Sequence, residues 1–240
     1  MTQADRLIRA AATLSRDVES IDFSEPVRFV YNPLRHAGRG HRRYLRRFGE
    51  GTKRVLFLGM NPGPYGMTQT GVPFGEVTIV REWLGIEERV DRPRHEHPKR
   101  PVEGFACQRS EVSGAQLWGA IASHWKTPQA FFESHFIANY CPLVFMEESG
   151  RNRTPDKLPR AERAALYEVC DKHLRRVLEI LDPEWLVGIG AFAEQRAREA
   201  LDGDARRIGR ILHPSPASPK ANRNWAKSAA QELRALGLCS

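Results

Sequence analysis

An α/β fold on a mainly parallel sheet is what this sequence predicts, and three observations predict it. Short apolar runs alternate with amphipathic stretches of helical length, the pattern of strands joined by crossover helices. The runs RVLFLGM (54–60) and EWLVGIG (184–190) are apolar at successive positions, as expected of strands buried on both faces. Polar or Gly/Pro-rich loops follow the strands at 61–71 and 213–219. The 240 residues show no internal repeat and no clear boundary, so 1–240 is expected to form one domain.

Leu7, Ala11, Leu14 and Val18 recur every three or four residues, so 3–20 is predicted to be a helix with one apolar stripe. Residues up to 50 add only a basic stretch. After the strand at 54–60 comes NPGPYGMTQTG, then a short helix over 76–84 ending near Gly85. The segment 89–109 is basic, rich in Pro and His, and without apolar periodicity, which predicts a long surface loop. A helix over 114–124 presents Leu117, Trp118 and Ile121, and HFIANY (135–140) reads as a strand stopped by Pro142. EESGRNRTPDK (147–157) is predicted to be a second polar loop. The clearest helix is 160–181, with Leu166, Cys170, Leu174, Val177, Leu178 and Leu181 as its core stripe and Pro183 beyond its end. AFAEQRAREAL (191–201) follows the strand at 184–190, with Gly203 suited to stop it. RIGRIL (207–212) is the last strand and 222–237 the last helix.

Composition narrows the function. Apolar residues at 41% and charged residues at 28% suit a globular protein rather than a disordered one. No run approaches the ~20 apolar residues of a membrane span. The N-terminal MTQADRLIRA has no apolar signal core, and the four cysteines are widely spaced, so an intracellular setting is expected: cytoplasmic in a bacterium, nuclear in a eukaryote. The net charge is +8. It is concentrated in 28–54 (Arg28, Arg35, Arg39, Arg42, Arg43, Arg46, Arg47, Lys53, Arg54) and 204–227 (Arg206, Arg207, Arg210, Lys220, Arg223, Lys227). Clustered cations fit either plain solubility or a polyanion such as nucleic acid.

In open α/β sheets, ligands bind at the carboxyl edge of the strands. Asn61, Asn139 and His213 all fall at that edge and are candidates to converge. Each also has a blander reading: Asn61 as a turn residue, Asn139 as a core amide bonded to backbone, His213 as structural or merely exposed. Other chemistries lack their motifs. Neither GxGxxG nor GxxxxGK[ST] follows the first strand, Ser215 lacks a GxSxG elbow, and His95-Glu96-His97 lacks HExxH spacing. No carboxylate pair stands out.

GMNPGPYGMTQTGVPFGEV (59–77) and HPSPASPKANRNW (213–225) resemble the single-strand-selective monofunctional uracil-DNA glycosylases, the third family of the uracil-DNA glycosylase superfamily. The resemblance extends to HPKRPVEGFACQRSEVSGAQLWG (97–119), NYCPLVFMEESGRNRTPDKLP (139–159) and VGIGAFAEQRAREAL (187–201). It covers most of the chain from about Arg54 onward. It implies a three-layer α/β/α sandwich around a short, mainly parallel four-stranded sheet. It implies a hydrolase that needs no metal or cofactor, removes uracil from single- and double-stranded DNA and leaves an abasic site for base-excision repair. It also argues against the superfamily's iron–sulfur branches, as the few cysteines do. A monomer is expected. Alternatives are a glycosylase for xanthine or hypoxanthine, or a weakly catalytic module that binds damaged DNA.

The resemblance also distributes roles. Asn61 would orient the attacking water, and His213 would stabilise the departing uracil at O2. Phe74 would stack on the flipped base and Asn139 would read its pairing edge, with Gly63 and the backbone at Met67 lining the pocket. A glycine at 63, where another branch carries tyrosine, leaves room for 5-substituted uracils such as 5-hydroxymethyluracil. Ser215, Pro216, Ala217, Lys220, Asn222 and Arg223 would contact DNA. Ala217 stands where family members carry an arginine that fills the gap left by the flipped base, and alanine cannot fill it. The two basic clusters are expected to track DNA phosphates.

Overall fold

The structure is a computed structural model that describes residues 1–215 and 219–238, with residues 219–223 described by their backbone alone. In chain order the elements are α1 (Gln3–Glu19), β1 (Phe29–Tyr31), α2 (Pro33–His36), α3 (Gly38–Phe48), β2 (Val55–Gly59), α4 (Met67–Thr70) and α5 (Val77–Glu82). There follow α6 (Val112–His124), α7 (Pro128–Phe132), β3 (His135–Asn139), β4 (Val144–Met146), β5 (Asn152–Arg153) and α8 (Arg160–Leu181). The chain closes with β6 (Trp185–Ile189), α9 (Ala191–Ala200), β7 (Arg207–Ile211) and α10 (Pro219–Ala235).

The central sheet has four strands in the order β3-β2-β6-β7, all parallel. β2 is buried at every position, which explains its continuous apolar run. α1, α8 and α9 pack together on one side, with α9 against β6 and β7. On the other side α6 and α10 meet over Phe57 and Ile211. One hydrophobic cluster runs from Leu7 to Leu238 through all these layers. The expected sandwich is therefore present. α8 has the predicted ends, and its six predicted stripe residues are buried. α1 begins with a capping box between Thr2 and Asp5 and buries its four predicted residues.

Several expectations are corrected. The basic stretch before residue 50 is α3, held by a buried Tyr44 whose hydroxyl donates to the Ile137 carbonyl at 2.9 Å. A second, three-stranded antiparallel sheet, β1-β4-β5, was not foreseen. Its strands of two or three residues are too short to show a period of two. The segment 89–109 is not simply a surface loop. His97 is buried, and its backbone N–H donates to the Tyr31 hydroxyl at 2.6 Å. Val102 and Cys107 are buried with it. Residues 147–157 likewise contribute β5 and a short 3-10 turn at Pro155–Lys157. α9 ends at Ala200, capped by Leu201, and Gly203 takes positive φ (+79°) in the turn that follows. α10 begins earlier than expected, at Pro219, and is interrupted at Asn224.

The charge clusters are divided in space. Lys53 is buried, with its ammonium donating to the carbonyls of Glu50 (2.6 Å) and Phe132 (2.5 Å), so it is not available to a phosphate. Arg28 pairs with Glu25, Arg35 with Glu19, Arg206 with Asp182, and Arg210 with Glu194. Four of the clustered arginines are thus engaged by acids, three of them by acids sixteen or more residues away.

Candidate active site at the carboxyl edge of the sheet

Parallel pairing sets Gly59 of β2 opposite Asn139 of β3. The pairing continues past the strand ends, with Tyr140 N–H donating to the Gly59 carbonyl and Cys141 N–H to the Met60 carbonyl, both at 2.9 Å. Asn61 and Asn139 therefore leave the sheet side by side. Behind Asn139, the Tyr140 hydroxyl donates to Asp171 at 2.7 Å. Arg196, almost fully buried, bonds the same two groups at 3.0 and 2.5 Å. That buried network fixes the backbone from which Asn139 projects.

The loop after β2 is built by its own polar side chains. Thr68 donates to the Gly63 carbonyl at 2.7 Å, Gln69 to the Pro64 carbonyl at 2.9 Å, and Thr70 to the Gly75 carbonyl at 3.0 Å. All three side chains are fully buried, so the hydrophilic TQT of the sequence is an internal brace. It ends at Phe74, which has φ +53°. A non-glycine residue there costs on the order of 1 kcal/mol and persists only where its surroundings fix it. They do: Glu76 N–H donates to the Phe74 carbonyl at 2.8 Å, and Trp118 Nε1–H to the Pro73 carbonyl at 3.0 Å.

Gly59 makes the floor. A Cβ there would sit 2.5 Å from both the Phe74 ring and Asn139 Oδ1. Only glycine lets the ring and the amide close over the strand end. On the far side, His213 follows β7. The residue before it is pinned twice: Leu212 N–H donates to Glu232 at 2.6 Å, and its carbonyl accepts from Trp225 Nε1–H at 2.7 Å. A Cβ on Gly190 would lie 3.1 Å from His213 Cβ, so the β6–α9 turn also supports the histidine. The rings of Phe74 and His213 are 6.1 Å apart and tilted by 46°.

These groups line one cleft of about 390 Å³. It brings together Asn61, Gly63, Met67, Phe74, Asn139, His213 and Ser215, seven residues singled out from the sequence. Pro216 and Ala217 lie outside the described residues, as do the side chains of Lys220, Asn222 and Arg223. The cleft also holds residues that sequence reasoning passed over, among them Glu111, Ser113, Asn152 and Thr154. Glu111 caps α6, accepting from the backbone N–H of Ser113 (3.2 Å) and Gly114 (2.5 Å). Burial raises its pKa. An acid ahead of the apolar α6 pattern was the available signal, and it reads first as a helix cap.

The polar atoms of the cleft are unevenly satisfied. Both Asn61 amide hydrogens are committed, to the carbonyls of Leu143 (3.0 Å) and Pro62 (3.2 Å). Its Oδ1 is the end left to accept from another molecule. Asn139 Nδ2 touches Met67 Sδ at 3.4 Å, so Met67 contributes its thioether and not only its backbone. Asn139 Oδ1 is buried with no hydrogen-bond partner. Burial lowers the His213 pKa, which keeps its imidazole neutral at neutral pH. A Cβ on Gly63 would meet nothing within 4 Å, and Gly63 is not among the positive-φ glycines. Among the described residues no group of three His, Cys, Asp or Glu side chains could hold a metal ion.

The sequence model of the uracil DNA glycosylase superfamily matches residues 46–234, which include every element of the cleft. A rat protein named single-strand selective monofunctional uracil-DNA glycosylase is 48% identical over 98% of this chain and 85% of its own. This chain belongs to that family. The mouse and bovine members are each 47% identical over 98% of this chain, and over 85% and 87% of their own. The crystal structure of wild-type SMUG2 from Pedobacter heparinus superposes with a TM-score of 0.72 at 18% identity, covering 99% of this chain and 97% of its own. At that identity it supports the uracil-DNA glycosylase fold alone. As a member of the family, this chain is a glycosylase that acts on DNA.

Proposed function

We propose that the cleft receives a uracil flipped out of DNA, and that Asn61 and His213 carry the hydrolysis of its N-glycosidic bond. The observation that carries this reading is the buried, unpartnered Oδ1 of Asn139 beside Phe74 and His213. A buried acceptor left empty costs roughly 1–3 kcal/mol, and the N3–H of uracil is a donor of the right kind. The second Nδ2 hydrogen can reach uracil O4 while the first stays on Met67. Cytosine presents an acceptor at N3 and a donor at C4, so it meets like with like and is rejected. Phe74 stacks on the ring.

As the C1′–N1 bond breaks, its electron pair moves into uracil and negative charge grows on O2. Neutral His213 donates a hydrogen bond there, where a preorganised donor does most to stabilise the developing anion. Asn61 Oδ1 accepts from a water and aims its oxygen at C1′. An amide is a poor base, so the water gives up its proton only as its oxygen bonds to the sugar, and that proton passes through solvent to the departing anion, which leaves as neutral uracil. Open space at Gly63 admits a 5-substituent, which extends the substrates to 5-hydroxymethyluracil. Single and double strands are both taken as substrates by a monomeric enzyme.

Oligonucleotides carrying uracil, 5-hydroxymethyluracil, xanthine, hypoxanthine or cytosine, incubated with the protein and then treated with alkali, test the reading. Scission at the two uracils and none at cytosine is expected, on single strands and on duplex. Scission confined to xanthine or hypoxanthine, or tight binding with no scission, would overturn it.

A further inference from the structure

Tyr65 stands between Gly63 and Gly66, two residues of the cleft wall. Its phenol oxygen receives two charged donors, Arg100 Nη1 at 2.6 Å and Arg109 Nη1 at 2.7 Å. Both guanidiniums also lie over its ring, 5.5 and 5.3 Å from the centroid. Among the described residues, neither arginine forms an ion pair. Two like charges brought to one neutral oxygen repel each other, and an anion between them removes that cost. A phenol oxygen that accepts two N–H groups has its own O–H left to donate outward. Arg109 is exposed and Tyr65 and Arg100 are half-buried, so what the three side chains offer a ligand is donors.

Their placement is built into the loops around the cleft. Arg100 Nε also donates to the Gly150 carbonyl at 3.1 Å, on the turn leading to Asn152 and Thr154 of the cleft. Arg109 is exposed and lies two residues before Glu111 of the cleft. The paired arginines of the two sequence clusters offer no such arrangement. Planar guanidiniums suit a phosphate, which accepts from two forks at once.

We propose that Tyr65, Arg100 and Arg109 clamp one backbone phosphate of the DNA strand whose nucleotide enters the cleft. The anion chemistry stands on these three residues, and the identity of the strand rests on the glycosylase reading. The clamp binds and positions the strand, and it touches no reacting atom.

The test measures binding of the full chain to a single-stranded oligonucleotide carrying a non-hydrolysable 2′-fluoro-deoxyuridine. One neutral methylphosphonate is moved along the strand, phosphate by phosphate. The wild-type protein is expected to lose about 10-fold in affinity at the clamped phosphate, the size of one charge-assisted contact. Arg109→Gln should bind the natural strand about 10-fold more weakly, yet be indifferent to the methylphosphonate at that one position. Its log-affinity against log-salt slope should be shallower by about 0.7, one phosphate on a single strand. Tyr65→Phe keeps the ring, loses the outward O–H, and should weaken binding at the same phosphate, while Arg109→Lys should recover part of the loss. If Arg109→Gln responds to every methylphosphonate as the wild type does, and its salt slope is unchanged, the clamp is wrong. Excision is scored separately on the same strand with ordinary deoxyuridine. Failure there overturns the glycosylase reading and leaves the phosphate comparison standing.

Discussion

At the scale of single residues, the proposed reading separates groups that hold the base from groups that act on it. Asn61→Ala removes the acceptor proposed to orient water, and His213→Ala removes the donor proposed at O2. Each should lower single-turnover excision by at least ~100-fold, the usual cost of losing one preorganised group. Activity within threefold of wild type in either variant would sink the assignment. Gly63→Tyr should lose 5-hydroxymethyluracil before uracil. Because Gly63 has open space and no positive φ, its melting temperature should stay close to wild type. A large fall in melting temperature would mean that the glycine serves the backbone. Asn61, Asn139 and His213 were legible in the sequence because strand-end position and motif both mark them. The role of Gly59 was not, since no local pattern says which ring will lie over it.

Individual elements supply the rigidity those residues need. β2 and β3 end in register, α4 braces the loop between β2 and Phe74, and α10 pins Leu212 before His213. Gly59→Ala puts a methyl into the Phe74 ring and the Asn139 carbonyl. Excision should fall by two orders of magnitude or more, with weaker binding of free uracil, because both base contacts move. Arg196→Ala acts differently. It takes the ion-pair partner from a half-buried Asp171, which keeps only the Tyr140 hydroxyl, and should cost about 2–3 kcal/mol of stability. Chemical denaturation reads that loss, and an unchanged midpoint would remove the network from the support of β3. The long helix α8 was readable to the residue because its stripe repeats six times. β1, β4 and β5 were not: β1 meets β4 across more than 100 residues, and β4 and β5, though neighbours in the chain, are too short to show a period of two.

Across the whole molecule, buried imidazoles link stability to pH. Burial holds His41 and His173 at pKa about 4, against an ordinary 6.5. The unfolded chain therefore takes up these protons first as pH falls, and acid favours unfolding. Melting temperature should decline as pH drops from about 6.5 towards 4, and His173→Gln should flatten that decline. A profile of the variant superimposable on the wild type would rule out His173 as a contributor. The positive charge is also a property of the whole. With Lys53 buried and several clustered arginines paired, fewer cations are free to meet a polyanion than the sequence clusters suggest. Arg100 and Arg109, which form no ion pair among the described residues, come from the basic, Pro- and His-rich segment 89–109 that predicted only a surface loop.

The sequence by itself determined the alternation of strands and helices, the carboxyl-edge loops, and the motifs that carry the family. All of these are local, written in periodicity and in contiguous residues. The tertiary structure alone decided which polar groups are spent and which are left free. Asn61 spends both amide hydrogens on backbone carbonyls, Asn139 keeps a buried carbonyl empty, and Arg100 and Arg109 share one phenol instead of a carboxylate. Those outcomes depend on partners brought from distant parts of the chain. Free energy fixes them through burial and pairing, and neither exists until the chain has folded.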